Sequence, residues 1–518
     1  MASGRPLRVT MLVESRVAPA WLAALAARLS AAPGIDLDVL SLGRKREPPP
    51  RPFLLRIYEA IDARIFRWPL DALEPVEIDA AARPAEGFEG RDVVLDFASS
   101  DPVELARGVR YGAWTVSHHP AEFQAPGPLY ATLIHAHQED GTRALLYTSY
   151  GAIDPASPSR TRHQALWKAQ GAVAHRLETV RRRGLAYAES RAQRVTPVTT
   201  VVAPSRLSNR VVARRAARAA LGVVGRIGRG VGRREVWFVA TRPRRQAPST
   251  GPAPDSPEGF APIEWSSQTP IADPFVFDDG GDTYVFFEND DPATGRAKIS
   301  YLRLDADARP DTAPATALET PYHLSYPFVF HHDGEIFMIP ESSANRTVEL
   351  YRARPFPTAW VLERVLLQDV RGLDATLHVD DDRLWLFVSV AEAGSKPNDE
   401  LHLYSSAALA GPWEPHPANP IVSDVRSARP AGRIFRHGDD LIRPSQDCSR
   451  RYGYALVFNR IDVLTDDDYA ETPVARIEPD WFPGLVATHT YNFGTDVEAI
   501  DGKRLVLRRP LARLRLGR

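Results

Sequence analysis

Three acidic residues in the second half of the chain have the types and spacing for acid–base chemistry on a glycosidic bond. Asp273 and Asp374 each open a strand-like segment, and Glu341 closes another one between them. Cleavage or transfer of a glycosyl unit needs a base or nucleophile, a group that holds charge and tunes a neighbouring pKa, and a proton donor. We expect the two aspartates to supply the first two functions. Glu341 is the first choice for the proton donor, with Asp447 and Glu288 in reserve.

Basic and amide side chains later in the same half of the chain indicate what the substrate could carry. Arg429, Arg433 and Arg443 lie in one stretch with Gln446 and Asp447. Guanidinium groups bind phosphate and carboxylate in a two-pronged geometry, so these residues would suit an anionic sugar. Salt bridges between structural elements are the alternative role for the arginines. The predicted partner is therefore a saccharide or glycoconjugate, possibly anionic.

An internal repeat carries these residues and predicts the fold that must position them. Five segments share a strand, an acidic or glycine-containing turn and a second strand, and they begin at Asp273, Tyr326, Asp374, Pro430 and Gly494. They recur at roughly 50 to 65 residues, which is enough for a four-stranded blade. The repeat predicts an all-β five-bladed β-propeller over residues 263–518. Because the first strand of each blade lines the central channel, Asp273, Tyr326 and Asp374 should face one funnel.

The propeller half also resembles known carbohydrate-active families. The first repeat opens with Ala272-Asp273-Pro274, as in the five-bladed glycoside hydrolases of family 43. That resemblance implies that Asp273 is the general base and Asp374 the aspartate that modulates a pKa. In that family the acid glutamate follows the second aspartate, whereas Glu341 precedes Asp374.

A more extensive resemblance is to the propeller of the plant glucosamine inositolphosphorylceramide transferases. The stretches that carry it are 323–328, 339–342, 411–413, 419–420 and 428–432. It implies a propeller that handles a glycan or glycolipid. The transferase chemistry of the plant proteins resembles that of a separate domain, so this likeness is specific for the fold and not for an activity.

The first 195 residues alternate strand-like and helix-like segments. Strands are predicted at 7–13, 37–42, 93–97 and 113–116, with a helix over 18–31. This alternation predicts an α/β domain with a doubly wound parallel sheet over 1–195. Ligands of such sheets bind at the carboxyl ends of the strands. The sequence Ser117-His118-His119-Pro120, directly after the fourth strand, is therefore a candidate site.

This candidate site resembles the catalytic domain of folate-dependent formyltransferases. The family has Asn-x-His-Pro after a strand and an aspartate further along, which match His119 and Asp154, with Ser117 in place of the asparagine. A serine hydroxyl is a shorter group with a single donor hydrogen, so polarisation of a formyl carbonyl would be weakened. The resemblance implies reduced folate as the cofactor of this alternative. A domain kept for docking or for another ligand is the other interpretation.

Composition sets the remaining limits. The chain has 518 residues, 44% hydrophobic and 25% charged, with a formal net charge of −1, so no global field favours nucleic acid. Cys448 is the single cysteine, which excludes an intramolecular disulfide. The histidines lack companions at metal-ligand spacing, so neither a metal nor, outside the folate alternative, a cofactor is predicted. No signal peptide or membrane-spanning run is evident, and a cytoplasmic location is expected.

Residues 196–262 read as an arginine-rich connector between the two domains. Its arginines, interleaved with apolar residues from Arg206 to Arg245, suit either a solvated linker helix or a peripheral contact with an anionic membrane surface. The segment 235–241 has the pattern of a strand that could begin the next domain.

The whole chain is thus interpreted as a carbohydrate-active enzyme, a glycoside hydrolase or glycosyltransferase. The alternatives are a formyl or other one-carbon transferase on an amino sugar, and a non-catalytic glycan-binding scaffold.

Overall fold

A computed structural model defines the fold, and it divides the chain into two compact units. The first comprises 1–219 with 392–396, and the second comprises 220–391 with 397–518. The structure describes residues 5–43, 52–66, 70–82, 87–98, 101–119, 129–154, 157–195, 208–214, 216–217, 233–244, 258–263, 269–291, 294–380, 383–392 and 394–507. The stretch after the His-His motif, 120–128, and most of the arginine-rich connector lie outside these described residues.

The first unit is built on a seven-stranded mixed sheet. Its order is β5-β3-β1-β6-β7-β8-β9. The elements are β1 (Leu7–Val13), β2 (Val17–Pro19), α1 (Ala20–Ala31), β3 (Ile35–Ser41), α2 (Phe53–Ile65), β4 (Pro75–Glu77), β5 (Ala81–Ala82), β6 (Val93–Asp96), α3 (Pro102–Leu105), β7 (Ala113–His119), β8 (Leu129–His137), β9 (Arg143–Ala152), α4 (Pro158–Arg183) and α5 (Leu185–Gln193).

The sheet is parallel from β5 through β7, and β8 and β9 then add to its edge in antiparallel pairing. Alternate residues of β1 pack on opposite faces: Met11 joins the core with Leu25 of α1, whereas Leu12 joins the core with Leu105 of α3. The predicted parallel α/β core is present. The antiparallel edge is a departure that the strand–helix alternation does not predict. A mixed sheet of this kind does not identify a formyltransferase-like domain, so that likeness stays a prediction.

The second unit is a five-bladed β-propeller, as the repeat predicts. Strand pairing groups its strands into five sheets. From the inner strand outward, the first blade comprises β12 (Ile271–Asp279), β13 (Asp282–Asp291), β14 (Arg296–Leu304) and β15 (Ala315–Leu318), and the second comprises β16 (Ser325–His332), β17 (Glu335–Ser342), β18 (Thr347–Ala353) and β19 (Trp360–Gln368). The third comprises β20 (Gly372–Asp380), β21 (Arg383–Val390), β22 (Leu401–Ser406) and β23 (Glu414–Pro415), and the fourth comprises the inner pair β24 (Arg429–Pro430) and β25 (Phe435–His437), then β26 (Asp440–Asp447), β27 (Ala455–Leu464) and β28 (Tyr469–Ile477). The fifth comprises the inner pair β29 (Leu485–Ala487) and β30 (Tyr491–Phe493), then β31 (Val497–Leu507), β10 (Arg233–Pro243) and β11 (Ala261–Pro262).

The fifth blade closes the ring with a strand from early in the chain. Strand β10 pairs with β31 along its whole length, from Arg233 opposite Leu507 to Pro243 opposite Val497. This strand lies inside the segment 196–262 that the sequence assigns to the connector, so the propeller begins earlier than predicted. Pairing the first strand with the last removes the exposed edges that an open ring would leave.

The turn assigned to the fifth repeat needs a correction. Asp501 and Gly502 lie in the middle of β31 and not in a hairpin turn. The turn between the inner strand and β31 falls at 494–496 instead. Because Asp-Gly is typical of tight turns, the local pattern was misleading here. The inner strand of this blade therefore begins before Tyr491. No site residue was predicted in this part of the sequence.

In the described part of the chain, no helix is long and apolar enough to cross a membrane.

Candidate functional site

Three residues that open inner strands share an unusual backbone conformation. Asp273, Tyr326 and Asp374 have positive φ angles of 53°, 45° and 51°. Each lies at a break in the pairing between the first and second strands of its blade. A β-bulge of this kind redirects a side chain, and a positive φ on a residue other than glycine is strained unless its surroundings hold it. The repeated bulge therefore fixes the direction of the same side chain in three successive blades.

A cavity of about 250 Å³ opens beside these bulges. Residues at or near the start of three inner strands line it, namely Ala272, Ser325 and His489. The rings of Trp237 and Tyr452 form further parts of its wall. The other lining residues are Pro270, Glu288, Asp290, His323, Glu341 and Arg429. A small cavity with aromatic rings, carboxylates and one arginine has the composition of a site for a polar ring-shaped ligand.

Asp273 lies next to this cavity, in a buried network of donors. Its carboxylate accepts hydrogen bonds from the Thr490 hydroxyl at 2.7 Å and from the Tyr326 main-chain N–H at 3.3 Å. Nε2 of His489 lies 3.7 Å from the same carboxylate. Burial raises the pKa of Asp273, and the positive charge of His489 opposes that shift. Asp273 is thus held in one orientation beside a charged imidazole.

His489 links Asp273 to a second buried carboxylate. Its Nδ1 lies 2.5 Å from Asp501, and its ring stacks on Trp237 with centroids 4.0 Å apart. Burial disfavours the imidazolium, but Asp501 and Asp273 outweigh it and raise the pKa of His489 to about 9. His489 is therefore an imidazolium at neutral pH, held between two aspartates.

This charged histidine predicts a stability that falls in mild alkali. The pKa of His489 is raised from 6.5 to about 9, so the folded state binds more protons than the unfolded state between these two values. The free energy of unfolding should fall by up to about 3 kcal/mol as the pH rises from 6.5 to 9. Urea denaturation at a series of pH values measures this. His489→Gln is the control, and an equal pH slope in that variant would remove His489 as the cause.

Arg429 joins the other two predicted carboxylates. Its guanidinium donates to both oxygens of Asp374, at 2.6 and 3.1 Å, and to Glu341 at 3.3 Å. Gln446 donates a further bond to Asp374 at 2.9 Å. Burial raises the pKa of Asp374 to about 7, against the lowering effect of Arg429. Arg429 is thus part of the site in the role of an ion-pair partner of these carboxylates.

Glu288 is a second carboxyl group in the cavity wall. It lies 3.2 Å from Nε2 of His323, while Nδ1 of His323 accepts a hydrogen bond from the Ala297 main-chain N–H at 3.1 Å. An Nδ1 that accepts a hydrogen bond carries no proton, so the proton of the neutral ring is on Nε2 and faces Glu288. Burial raises the pKa of Glu288, and the negative charge of Asp273 raises it further, whereas His323 lowers it.

Two clusters place three possible metal ligands close together. One cluster is Glu288, Asp290 and His323, and the other is Asp273, His489 and Asp501. Nδ1 of His323 accepts the Ala297 N–H, so a metal on Nε2 would require the ring to lose its proton. A metal on His489 would have to displace a proton held between Asp501 and Asp273. Metal binding at either cluster would therefore compete with a proton.

Three of the predicted binding residues make internal contacts instead of lining the cavity. The Tyr326 hydroxyl accepts from the Gly432 N–H at 2.7 Å and lies 2.9 Å from the Thr376 hydroxyl. Arg443 donates to both oxygens of Glu471, at 2.8 and 2.7 Å. Asp447 accepts from Ser449 N–H at 2.7 Å and pairs with Arg476 at 2.7 Å.

Each of these three side chains therefore has a structural partner. Tyr326 and Arg443 are also almost completely buried. Gln446, the fourth candidate, contacts Asp374 from beneath and so supports the site indirectly.

Sequence reasoning assigned no role to His489, Asp501 or Trp237. His489 stands between two threonines, in Ala487-Thr-His-Thr-Tyr491, at the start of an inner strand. Placing the fifth inner strand at this segment would have made His489 a candidate. The strand predicted at 235–241 is present and carries Trp237, whereas the turn predicted at Asp501 lies inside β31.

The backbones of the N-terminal candidate residues lie at one edge of the sheet. Ser117 and His119 lie on β7, and Asp154 follows β9. Because β8 is antiparallel to both, the carboxyl ends of β7 and β9 lie at the same edge of the sheet. The Asp154 carboxylate lies 3.3 Å from Nη1 of Arg160. The loop that would complete this site, 120–128, is outside the described residues.

Comparison with known proteins gives a family match for the propeller alone. Residues 263–480 match the family described as glucosamine inositolphosphorylceramide transferase 1, N-terminal. The protein of that name from Oryza sativa subsp. japonica is 39% identical over 208 residues, which is 39% of this chain and 28% of the relative. The Arabidopsis thaliana protein is 38% identical over 208 residues, covering 39% and 27%. This chain therefore spans little more than a quarter of the length of these relatives.

Solved structures show a weaker likeness. Zg3597, a family 117 glycoside hydrolase from Zobellia galactanivorans, is 11% identical with a TM-score of 0.34, and the match covers 52% of this chain and 91% of that one. The RS223 beta-xylosidase is 14% identical with a TM-score of 0.32, and the match covers 42% and 75%. Both TM-scores are too low to say anything about activity.

Proposed function

We propose that the propeller binds one glycosyl unit of a glycan or glycolipid in the 250 Å³ cavity and cleaves or transfers it. The observation that carries this proposal is the position of Asp273 beside a cavity whose wall holds Glu288. One carboxylate is paired with an imidazolium, and the other is a carboxyl group whose pKa burial raises. Two carboxyl groups in different environments can divide the tasks of base and acid.

In the proposed reaction Asp273 accepts the proton of an attacking water or acceptor hydroxyl. The attacking oxygen bonds to the anomeric carbon, the bond from that carbon to the leaving oxygen breaks, and Glu288 gives its proton to the leaving oxygen. The Nε2–H of His323 donates to one oxygen of Glu288, which leaves the other to carry the proton. Arg429 pairs with Asp374 and keeps Glu341 in the cavity wall as an acceptor for sugar hydroxyls.

Glu288 is preferred to Glu341 as the donor because of their partners. Glu341 accepts hydrogen bonds from Arg429 and, at 2.7 Å, from the Ser343 hydroxyl. An acceptor of two donors, one of them cationic, is poorly placed to give up a proton. Glu288 faces a histidine whose Nδ1 accepts the Ala297 N–H, and burial is the largest influence on the pKa of Glu288 and raises it, although the hydrogen bond between the two residues also raises the pKa of His323. Glu341, the first choice for the acid from the sequence, is the alternative.

The curated relatives suggest which substrates to test first. Their name describes a transferase of glucosamine to inositolphosphorylceramide, so the substrate class would be a glycosylated inositolphosphoceramide or its sugar donor. Incubation of the purified chain with such lipids, sugar nucleotides and oligosaccharides, followed by mass analysis, tests this. Bound sugar without any product would favour the glycan-binding scaffold.

The donor assignment predicts a leaving-group dependence. Glu288→Gln should reduce turnover of a natural glycoside by about 10² to 10⁴-fold, the contribution of a general acid. The same variant should lose much less on an aryl glycoside whose leaving group needs no proton. Glu341→Gln serves as the matched control. If it, and not Glu288→Gln, showed the leaving-group dependence, Glu341 would be the acid.

One-carbon transfer on an amino sugar through the first unit is a second candidate. The shared sheet edge of β7 and β9, which brings the backbones of Ser117, His119 and Asp154 to one side, is the observation that favours it. Binding of reduced folate, measured by titration calorimetry, with loss on Asp154→Asn would support this function. Such binding should be indifferent to Asp273→Asn.

A further inference from the structure

A second cavity, of about 410 Å³, lies at the other end of the propeller channel. Its lining residues come from later positions of the same inner strands, among them Phe277, Phe330 and Val379. The first cavity is lined by residues at or near the starts of the inner strands, such as Ala272 and Ser325. Since the inner strands of a propeller run in one direction along the channel, the two cavities lie at opposite mouths.

Arg433 is the cation of this second cavity, and its charge is not neutralised. Its Nη2 donates to the Val329 carbonyl at 2.7 Å, and the guanidinium lies over the Phe328 ring, 5.2 Å from the ring centroid. No carboxylate among the described residues is within ion-pairing distance of it. Burial lowers the pKa of Arg433. A guanidinium has five donor hydrogens, so most of them remain to be used by a ligand.

The nearest acid in the wall, Asp278, is already engaged. It accepts from the Thr283 hydroxyl at 2.7 Å and from the main-chain N–H and hydroxyl of Thr495 at 2.7 and 2.9 Å. Its charge nevertheless acts on Arg433. A ligand with two negative charges would be repelled by Asp278, whereas a single negative charge would match Arg433.

The rest of the wall is apolar and aromatic. Phe277, Phe328, Phe330 and Phe493 line the cavity. His378 adds a polar atom, because its Nε2 is buried and has no hydrogen-bond partner among the described residues. Burial lowers the pKa of His378, so this ring is neutral at pH 7 and adds no second charge. Besides the engaged Asp278 carboxylate and the His331 ring, the wall therefore offers one guanidinium, one neutral polar atom and several ring faces.

We propose that this cavity binds a small monocarboxylate with a ring-shaped or apolar body. The carboxylate lies on the Arg433 guanidinium, and the body packs against the phenylalanine rings. A carboxylate matches the planar fork of the guanidinium, and aromatic rings receive either an apolar ring or the C–H face of a sugar. The inference does not depend on the reaction proposed for the opposite mouth.

Two probes of the same charge and different bodies test the proposal: benzoate and glucuronate, with inorganic phosphate as the dianionic comparison. Titration calorimetry should detect binding of at least one carboxylate by the full chain. Arg433→Met should weaken that binding at least 10-fold. Its melting temperature should stay equal or rise, because the substitution removes a buried charge that has no ion-pair partner. Retained stability separates a lost ligand contact from lost folding.

Further variants make the result specific. Glu288→Gln should leave probe binding unchanged, so failure of the glycosyl reaction and failure of this inference can be told apart. Arg433→Lys keeps the charge without the planar fork and should bind more weakly than wild type. The proposal is overturned if no carboxylate binds at millimolar concentration, if phosphate binds in preference, or if Arg433→Met binds as wild type does.

Discussion

Asp273→Asn is expected to lower turnover of a glycoside substrate by about 10² to 10⁴-fold while the protein stays folded. Asparagine keeps the shape of the side chain; its oxygen can accept from the Tyr326 N–H, and its NH2 group can donate to the Thr490 hydroxyl. It cannot accept a proton from an attacking hydroxyl. His489 retains Asp501 as its partner, so the imidazolium stays compensated. Single-turnover rates and thermal melts of the same preparation measure the two effects.

Asp447→Asn is the matched control for this prediction. Asp447 is as buried as Asp273, at 4% and 3% exposure, but its partners are Arg476 and Ser449, whereas Asp273 contacts His489 of the cavity wall. We expect this variant to keep its turnover and to lose some stability. Equal loss of turnover in both variants would mean that buried aspartates act on folding. Unchanged turnover in Asp273→Asn would remove Asp273 as the base.

The second large effect is expected on stability. Arg429→Met should lower the free energy of unfolding by about 3 to 5 kcal/mol, because it leaves Asp374 and Glu341 buried without their cation. Urea denaturation at pH 7 measures this change. The loss should become smaller at pH 5, where the carboxyl group of Asp374, whose pKa is raised to about 7, is neutral.

A double variant tests whether the uncompensated carboxylate is the cause. Adding Asp374→Asn to Arg429→Met should restore part of the lost stability, since contacting residues couple. Arg433→Met gives the contrast, because Arg433 has no carboxylate partner among the described residues and should not be costly to remove. If both arginine variants lost the same stability, ion pairing with Asp374 would not explain the loss.

The propeller could be predicted from the repeat because the sequence pattern of each blade hairpin is local. Alternating apolar residues and a turn fit within about 15 residues, as in 273–288, so they can be read directly. The fifth blade shows the limit of such reading. Its third strand, β10, lies more than 200 residues before the strand with which it pairs, and its Asp501-Gly502 pair resembles a turn but lies inside β31.

The repeat also placed two aspartates at the mouth of the channel. Asp273 and Asp374 occupy the same position in their repeats, and in the structure both lie at a β-bulge and have a positive φ. What they contact was beyond the pattern. The main-chain N–H of Asp273 donates to Asp501, 228 positions away, and such pairs form only when the ring closes.

Tertiary structure alone separated three arginines that look alike in the sequence. Arg429 holds the carboxylates of the first cavity, Arg443 pairs with Glu471 inside its own blade, and Arg433 faces the cavity at the opposite mouth. Residues a few positions apart along a blade point to different faces of the sheet and lie at different ends of the channel. The partners of each residue therefore depend on which side chains the neighbouring blades place beside it. The sequence by itself thus determined the propeller and its acidic mouth. The closing of the ring decided which charges meet there.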